Sequence, residues 1–179
     1  MTEIKNYKLD FIARTLELLN ENFESFKERD KETTFLLNCL LGLIVLTCEN
    51  EKEKCSAFNG KIDNRFVNVI PQKVRFLANA KHLFPQDILN KDTFSINVSN
   101  HSQLKKMDKI WFLKMIRNGI SHQNIDVLNA DGTWVGIKLW NINPTLDVKD
   151  FEIEFKIQEL KDFAIFIASN FLGTKGERE

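Results

Sequence analysis

Apolar residues recur every three or four positions at Ile12, Leu16, Leu19, Phe23 and Phe26, the period that puts side chains on one face of a helix. Glu17, Glu21 and Glu24 fall on the opposite face. A charged break, KERDKE, separates this first helix from a second over residues 35–46, with Thr33 or Thr34 placed to serve as its N-cap. The second helix is apolar nearly all round, so more than one neighbour must cover it. From residue 49 to 69 the periodicity fails and polar residues gather, which predicts a loop longer than an ordinary connection. Pro71 suits the first turn of a short helix through QKVRFLANAKHLF, closed before Pro85. NKDTFSINVSNHS again reads as loop, and a helix over about 102–116 follows with Leu104, Met107, Trp111 and Met115 on one line.

Beyond residue 122 the period changes from helix to strand. IDVLNADGTWVGIKLW places Asp131-Gly132 between two β-prone segments, the strongest hairpin signal in the chain. FEIEFKI alternates strictly and can add a third strand. A last helix carries Leu160, Phe163, Ala164, Ile167 and Phe171 on one face, and the GTKGERE tail is expected to fray. The expected fold is mainly α: one domain over residues 1–179, a helical bundle with a small β-hairpin inserted before the last helix.

Composition narrows the function classes. With 179 residues, 43% of them hydrophobic and 15 of them Phe, the chain can bury a substantial core. Formal net charge is zero, so a nucleic acid or a membrane surface must be met by a local patch. Cys39, Cys48 and Cys55 are an odd number at spacings that match neither a disulfide framework nor a zinc set, which predicts a reduced, cytoplasmic chain with no metal site and no cofactor. The N-terminal MTEIKNYKLD lacks a continuous apolar core of the signal-peptide kind. The apolar stretch 35–46 is shorter than the roughly 20 residues of a bilayer span and contains Asn38, so it is read as a helix of a core or a subunit interface, not of a membrane.

The candidate chemistry lies in RNGISH, residues 117–122. Two readings of it compete. In one, Gly119 takes a left-handed conformation just past a helix end, Arg117 caps the last carbonyls and His122 is a loop residue. In the other the helix continues through Ser121; Asn118 and His122 are then i,i+4 neighbours, with the long arm of Arg117 in reach. The second reading brings together a group that titrates near neutral pH and a fork that binds phosphate. Lys105, Lys106, Lys109, Lys114 and Arg117 against Asp108 leave a local excess of four positive charges, either a phosphate-facing patch or a solvated helix face. Asn38 either points at the motif or is a core amide bonded to a backbone carbonyl. His82 and His101 have no ligand-spaced partners, and Phe94, Trp134 and Trp140 are candidate stacking surfaces for RNA bases, with Trp140 expected in the core.

An arginine, four intervening residues and a histidine, with Asn directly after the Arg, resembles the signature of the HEPN superfamily, small α-helical proteins that include metal-independent RNA endonucleases. YKLDFIARTLELL and FLLNCLLGLIVL resemble more closely the stand-alone, plasmid-borne bacterial members. The likeness covers the first two helices and the motif; residues 52–100 and the hairpin match loosely. It implies a HEPN-like bundle in which His122 acts as general base or acid on the ribose 2′-OH. Attack on the adjacent phosphate leaves a 2′,3′-cyclic phosphate and a 5′-OH end. It implies that Arg117 holds that phosphate and Asn118 orients His122 or the substrate, with Lys114, Lys109, Asn38 and Ser121 binding RNA around them. It also implies a homodimer with a composite active site and a toxin or phage-defence role, with an antitoxin or sensor as possible partner. The alternative is a non-catalytic HEPN-like module that binds nucleotide or RNA, or a helical interaction protein.

Overall fold

A computed structural model describes residues 7–48, 56–77, 96–97 and 103–176. Six helices are described: α1 Tyr7–Glu21, α2 Phe23–Lys27, α3 Glu32–Cys48, α4 Asn64–Val67, α5 Lys109–Ser121 and α6 Ile157–Gly176. Five strands accompany them: β1 Val74–Phe76, β2 Ile96–Asn97, β3 Ile125–Ala130, β4 Thr133–Asn143 and β5 Val148–Lys156. The strands form one antiparallel sheet in the order β2-β1-β5-β4-β3. This overturns the mainly-α expectation: the fold is mixed, and the hairpin is the larger part of a sheet rather than a small insertion.

Part of the difference lies in β1. Val74–Phe76, read as helix after Pro71, pairs instead with β5, Val74 opposite Ile153 and Phe76 opposite Phe151. Three residues are too few for a period of 2 to be told from one of 3.6, so the exposed edge of β5 decides. Val74 and Phe76 face the core, while Arg75 lies on the other face. The 49–69 loop is likewise only partly a loop. A 3-10 turn at Ser56–Phe58 and the short α4 anchor it, and Phe58, Ile62 and Phe66 are buried. The first helix is divided at Asn22, and the helix expected from residue 102 starts only at Lys109, Leu104–Lys106 being a separate 3-10 turn. The expected N-caps Thr33 and Thr34 already lie inside α3. Residues 82, 94, 101 and the last three, for which expectations were drawn, lie outside the described residues.

α5 and α6 lie against β4 and β5, α3 packs on both helices, and α1 packs on α3 and α6. Aromatic edges knit these layers. Phe112 of α5 meets Phe151 of β5 at 5.4 Å and 90°, and Phe66 of α4 meets Phe112, Phe163 and Phe166 edge-on. Such geometry sets the electropositive ring edge against the π face and adds to the area buried.

The far side of the sheet is polar and converges on Glu152. Its side chain, 5% exposed, accepts from Arg75 on one oxygen, and on the other from Lys138 and Lys149, each at 3.2 Å. Burial raises the Glu152 carboxyl, but these three cations outweigh it and hold the group below its ordinary value of 4.5. Stability from a depressed carboxylate is present above its unfolded pKa and is lost as pH falls through the folded one. Glu152→Gln is therefore expected to cost about 2 kcal/mol at pH 7, since it leaves three converging cations uncompensated. Urea melts at pH 7 and pH 4 check this: the gap between wild type and variant should narrow at the lower pH.

Candidate functional site

α5 positions the RNGISH motif. Phe112, Leu113, Ile116 and Gly119 are buried on its inner face, and at about 100° per residue Lys114, Arg117, Asn118, Ser121 and His122 fall within about 140° on the other side. The helix does not stop at Gly119. The His122 amide donates to the Asn118 carbonyl at 2.9 Å, and His122 is the C-cap. What ends the helix is Gln123, which takes a left-handed φ of 57°. Its amide bonds the Ile120 carbonyl, and the Asn124 amide the Gly119 carbonyl at 2.9 Å. Those two bonds form a Schellman motif with glutamine where glycine is usual. Gln123→Gly is accordingly expected to stabilise the protein by about 0.5–1 kcal/mol, read as a rise in thermal midpoint.

Gly119 serves packing, not termination. A Cβ there would stand 2.9 Å from the Trp140 carbonyl oxygen and 3.1 Å from Leu139 Cδ1. The absent side chain lets α5 sit directly on β4. The Trp140 amide in turn donates to the Asn124 carbonyl at 3.1 Å, so the chain leaving the motif is tied back to the same strand.

Within the motif, the Arg117 guanidinium donates through Nε at 3.3 Å and Nη2 at 3.0 Å to Asn118 Oδ1. Asn118 thus orients the arginine, a role beside the orientation of histidine or substrate foreseen for it. Arg117, Asn118 and Lys114 are half-buried; Ser121 and His122 are exposed. The structure therefore brings Arg117, Asn118, Ser121, His122 and Lys114 to one face at the end of α5.

Lys109 is placed elsewhere. It lies eight positions before Arg117, about 12 Å along the axis and toward the inner side; its side chain is 13% exposed and pairs with Asp63. The hydrogen bond from Lys109, against the opposing effect of burial, holds the Asp63 carboxyl below its usual range. Asp63 also caps α4 through the Phe66 amide at 2.9 Å, so this ion pair joins two elements of the fold. Lys105 donates to Asn64 Oδ1 at 2.7 Å. Much of the basic excess read from the sequence is therefore engaged within the protein. Asn38 is exposed on α3 and is not the core amide of the alternative reading. Trp140 is half-buried rather than in the core. Because Leu139 points inward, its ring lies on the sheet face opposite α5, where Lys149 Nζ sits 4.7 Å from its centroid. Trp134, at the hairpin tip, is 48% exposed.

The convergence on Glu152 was not foreseen. Its sequence signal is the alternation of FEIEFKI, whose acids occupy the face opposite the aromatics. The partners Arg75, Lys138 and Lys149 come from three strands and are joined only by the register. Among the described residues no cluster of His, Cys, Asp and Glu has the geometry to hold a metal ion, and no helix is long and apolar enough to cross a membrane. Cys39 is half-buried, and burial pushes its thiol up to about 11, which keeps it protonated near neutral pH.

Residues 1–178 match the model of a family described as HEPN pEK499 p136. No curated protein and no solved structure matches the chain.

Proposed function

The chain belongs to the HEPN pEK499 p136 family, and on that premise we propose that it is an RNA endonuclease whose reacting groups are Arg117, Asn118 and His122. The observation that carries this reading is the unbroken end of α5. With the His122 amide on the Asn118 carbonyl, the histidine and the Asn118-held guanidinium share one solvent-facing side of the helix. His122 takes the proton of a ribose 2′-OH as that oxygen attacks the neighbouring phosphorus. The P–O5′ bond breaks, and the leaving 5′ oxygen takes its proton from the imidazolium of a second copy of the motif, giving a 2′,3′-cyclic phosphate and a 5′-OH. Arg117 offers the cation for the extra charge of the pentacovalent state, so the step needs no metal ion. Lys114 and Ser121, on the same side of the helix, bind the flanking phosphates.

One histidine per motif cannot be base and acid at once, so a second copy of the motif is required, and the functional unit is a homodimer. α3 supports this by keeping Leu37, Leu41 and Val45 half-exposed around Asn38, an apolar stripe on a helix that already fills the core with its other face. A toxin or phage-defence role, with an antitoxin or sensor as controlling partner, is the setting this activity fits. The second reading is RNA or nucleotide binding without turnover, with Arg117 and His122 as ligands only.

The test is incubation of the purified protein with single-stranded and structured RNA in EDTA, with analysis of the ends. Cleavage with 2′,3′-cyclic phosphate and 5′-OH termini is expected. Activity that disappears in EDTA refutes the mechanism, and saturable RNA binding with no products favours the second reading.

A further inference from the structure

A cavity lined by none of the RNGISH residues opens where the turn before α3 meets the tip of the β3–β4 hairpin. It has a volume of about 250 Å³ and is bounded by Asp30, Glu32, Thr33, Gly132, Thr133 and Trp134. Glu32 and Thr33 are 8% and 3% exposed, and Glu32 Oε2 and Thr33 Oγ1 have no hydrogen-bond partner among the described residues. Buried polar atoms are nearly always satisfied, and an unsatisfied carboxylate oxygen is among the costliest exceptions. The position of Glu32 in the first turn of α3 explains why a negative charge is tolerated there, but the helix dipole supplies no donor to Oε2.

The chemistry of the walls defines what would satisfy them. Two carboxylates, Asp30 and Glu32, line the space; no lysine or arginine is among the lining residues, Lys31 between the two acids being exposed, and Thr33 and Thr133 add hydroxyl oxygens. The indole of Trp134, 48% exposed, supplies an aromatic face. Acceptors with negative charge beside a π surface complement a donor-rich organic cation. The volume is below the roughly 300 Å³ at which pockets for drug-sized ligands begin, so one charged group fits rather than a whole large molecule.

We propose that this cavity binds a single guanidinium or primary ammonium group, held by Glu32 and Thr33 and covered by Trp134. The group belongs either to a small free amine or to an arginine or lysine side chain of a partner. The site is independent of the ribonuclease reading, since it shares no residue with α5.

Titration calorimetry on the full chain at low ionic strength, with methylguanidinium, methylammonium and the neutral methylurea, tests it. Saturable one-site binding of at least one cation is expected, with methylurea at least tenfold weaker. Thr33→Val and Glu32→Gln should each weaken the cation at least tenfold, with circular dichroism confirming that the variant is folded; Thr33→Val is near-isosteric and serves if Glu32→Gln does not fold. His122→Ala should bind as wild type does. Agmatine against a capped arginine tripeptide distinguishes the sources: agmatine alone indicates a free amine, and binding of the tripeptide indicates a protein side chain. Equal binding of methylurea, no saturable heat with either cation at millimolar concentration, or unchanged affinity in folded Thr33→Val overturns the proposal and leaves a cavity filled by water.

Discussion

Replacing His122 by alanine is expected to lower RNA cleavage by about 10²–10⁴-fold, the range that a positioned general acid–base supplies. The fold should be unaffected, because His122 is exposed and its structural contribution is the backbone bond to Asn118, which alanine keeps. Arg117→Ala should cost about 10²–10³-fold through loss of charge stabilisation in the transition state. Arg117→Lys should recover little of that, since an ammonium keeps the charge but not the planar fork that reaches Asn118 Oδ1 through two nitrogens. Single-turnover rates on a short labelled RNA, beside circular dichroism of each variant, make the measurement. Wild-type rates in folded His122→Ala would remove the histidine from the mechanism and leave its presence in the motif without a catalytic explanation.

The largest expected effect on stability is at Gly136. A Cβ built there stands 2.1 Å from the Phe155 carbonyl oxygen and 3.0 Å from Lys156 Cα, both backbone atoms that cannot swing aside. The residue pairs with Leu128 on one side and Lys156 on the other, next to the irregularity between Leu128 and Asn129 in the β3–β4 register. A glycine inside a strand beside a bulge marks a close approach of two backbones. Gly136→Ala must separate β4 from β5 at that point, so it is expected to cost about 3 kcal/mol, the upper end of the overpacking range. For a chain of this size that lowers the thermal midpoint by about 6–12 °C. Gly132→Ala is the informative comparison. Its added Cβ meets nothing within 4 Å, but its φ of 80° is left-handed, so it tests conformational strain without steric contact. Calorimetric scans of the two variants would separate these causes, and a Gly136→Ala protein with the wild-type midpoint would mean that the strands can part without cost.

The helices were legible because their signal is local and repeated. Ile12, Leu19 and Phe23 are buried as the spacing requires, and Leu160, Phe163, Ala164, Ile167 and Phe171 form the inner face of α6. The hairpin was legible from two residues: Asp131 and Gly132 both take positive φ, the condition of a type I′ turn. β1 was not, since three residues carry no usable period and its strand state depends on a partner some 75 positions away. Nor was the burial of Phe58, Ile62 and Phe66, because a segment without periodicity can still be drawn into a core by a few large side chains. Gly119 left two readings open for a physical reason: a glycine needed for space and a glycine needed for φ look alike in sequence.

The sequence by itself determined the number and faces of the long helices, the hairpin turn and the residue types of the candidate site, because each depends on neighbours within about one or two turns of chain. Only the tertiary structure decided that the fold is mixed rather than mainly α, that α5 runs on to His122 and ends at Gln123, that Lys109 is engaged with Asp63, and that Glu32 and Thr33 open onto a cavity. Those outcomes depend on sheet register, helix-to-strand distance and charge pairing between segments far apart in sequence. Such contacts are selected by the packing of the whole chain, and no local pattern encodes them.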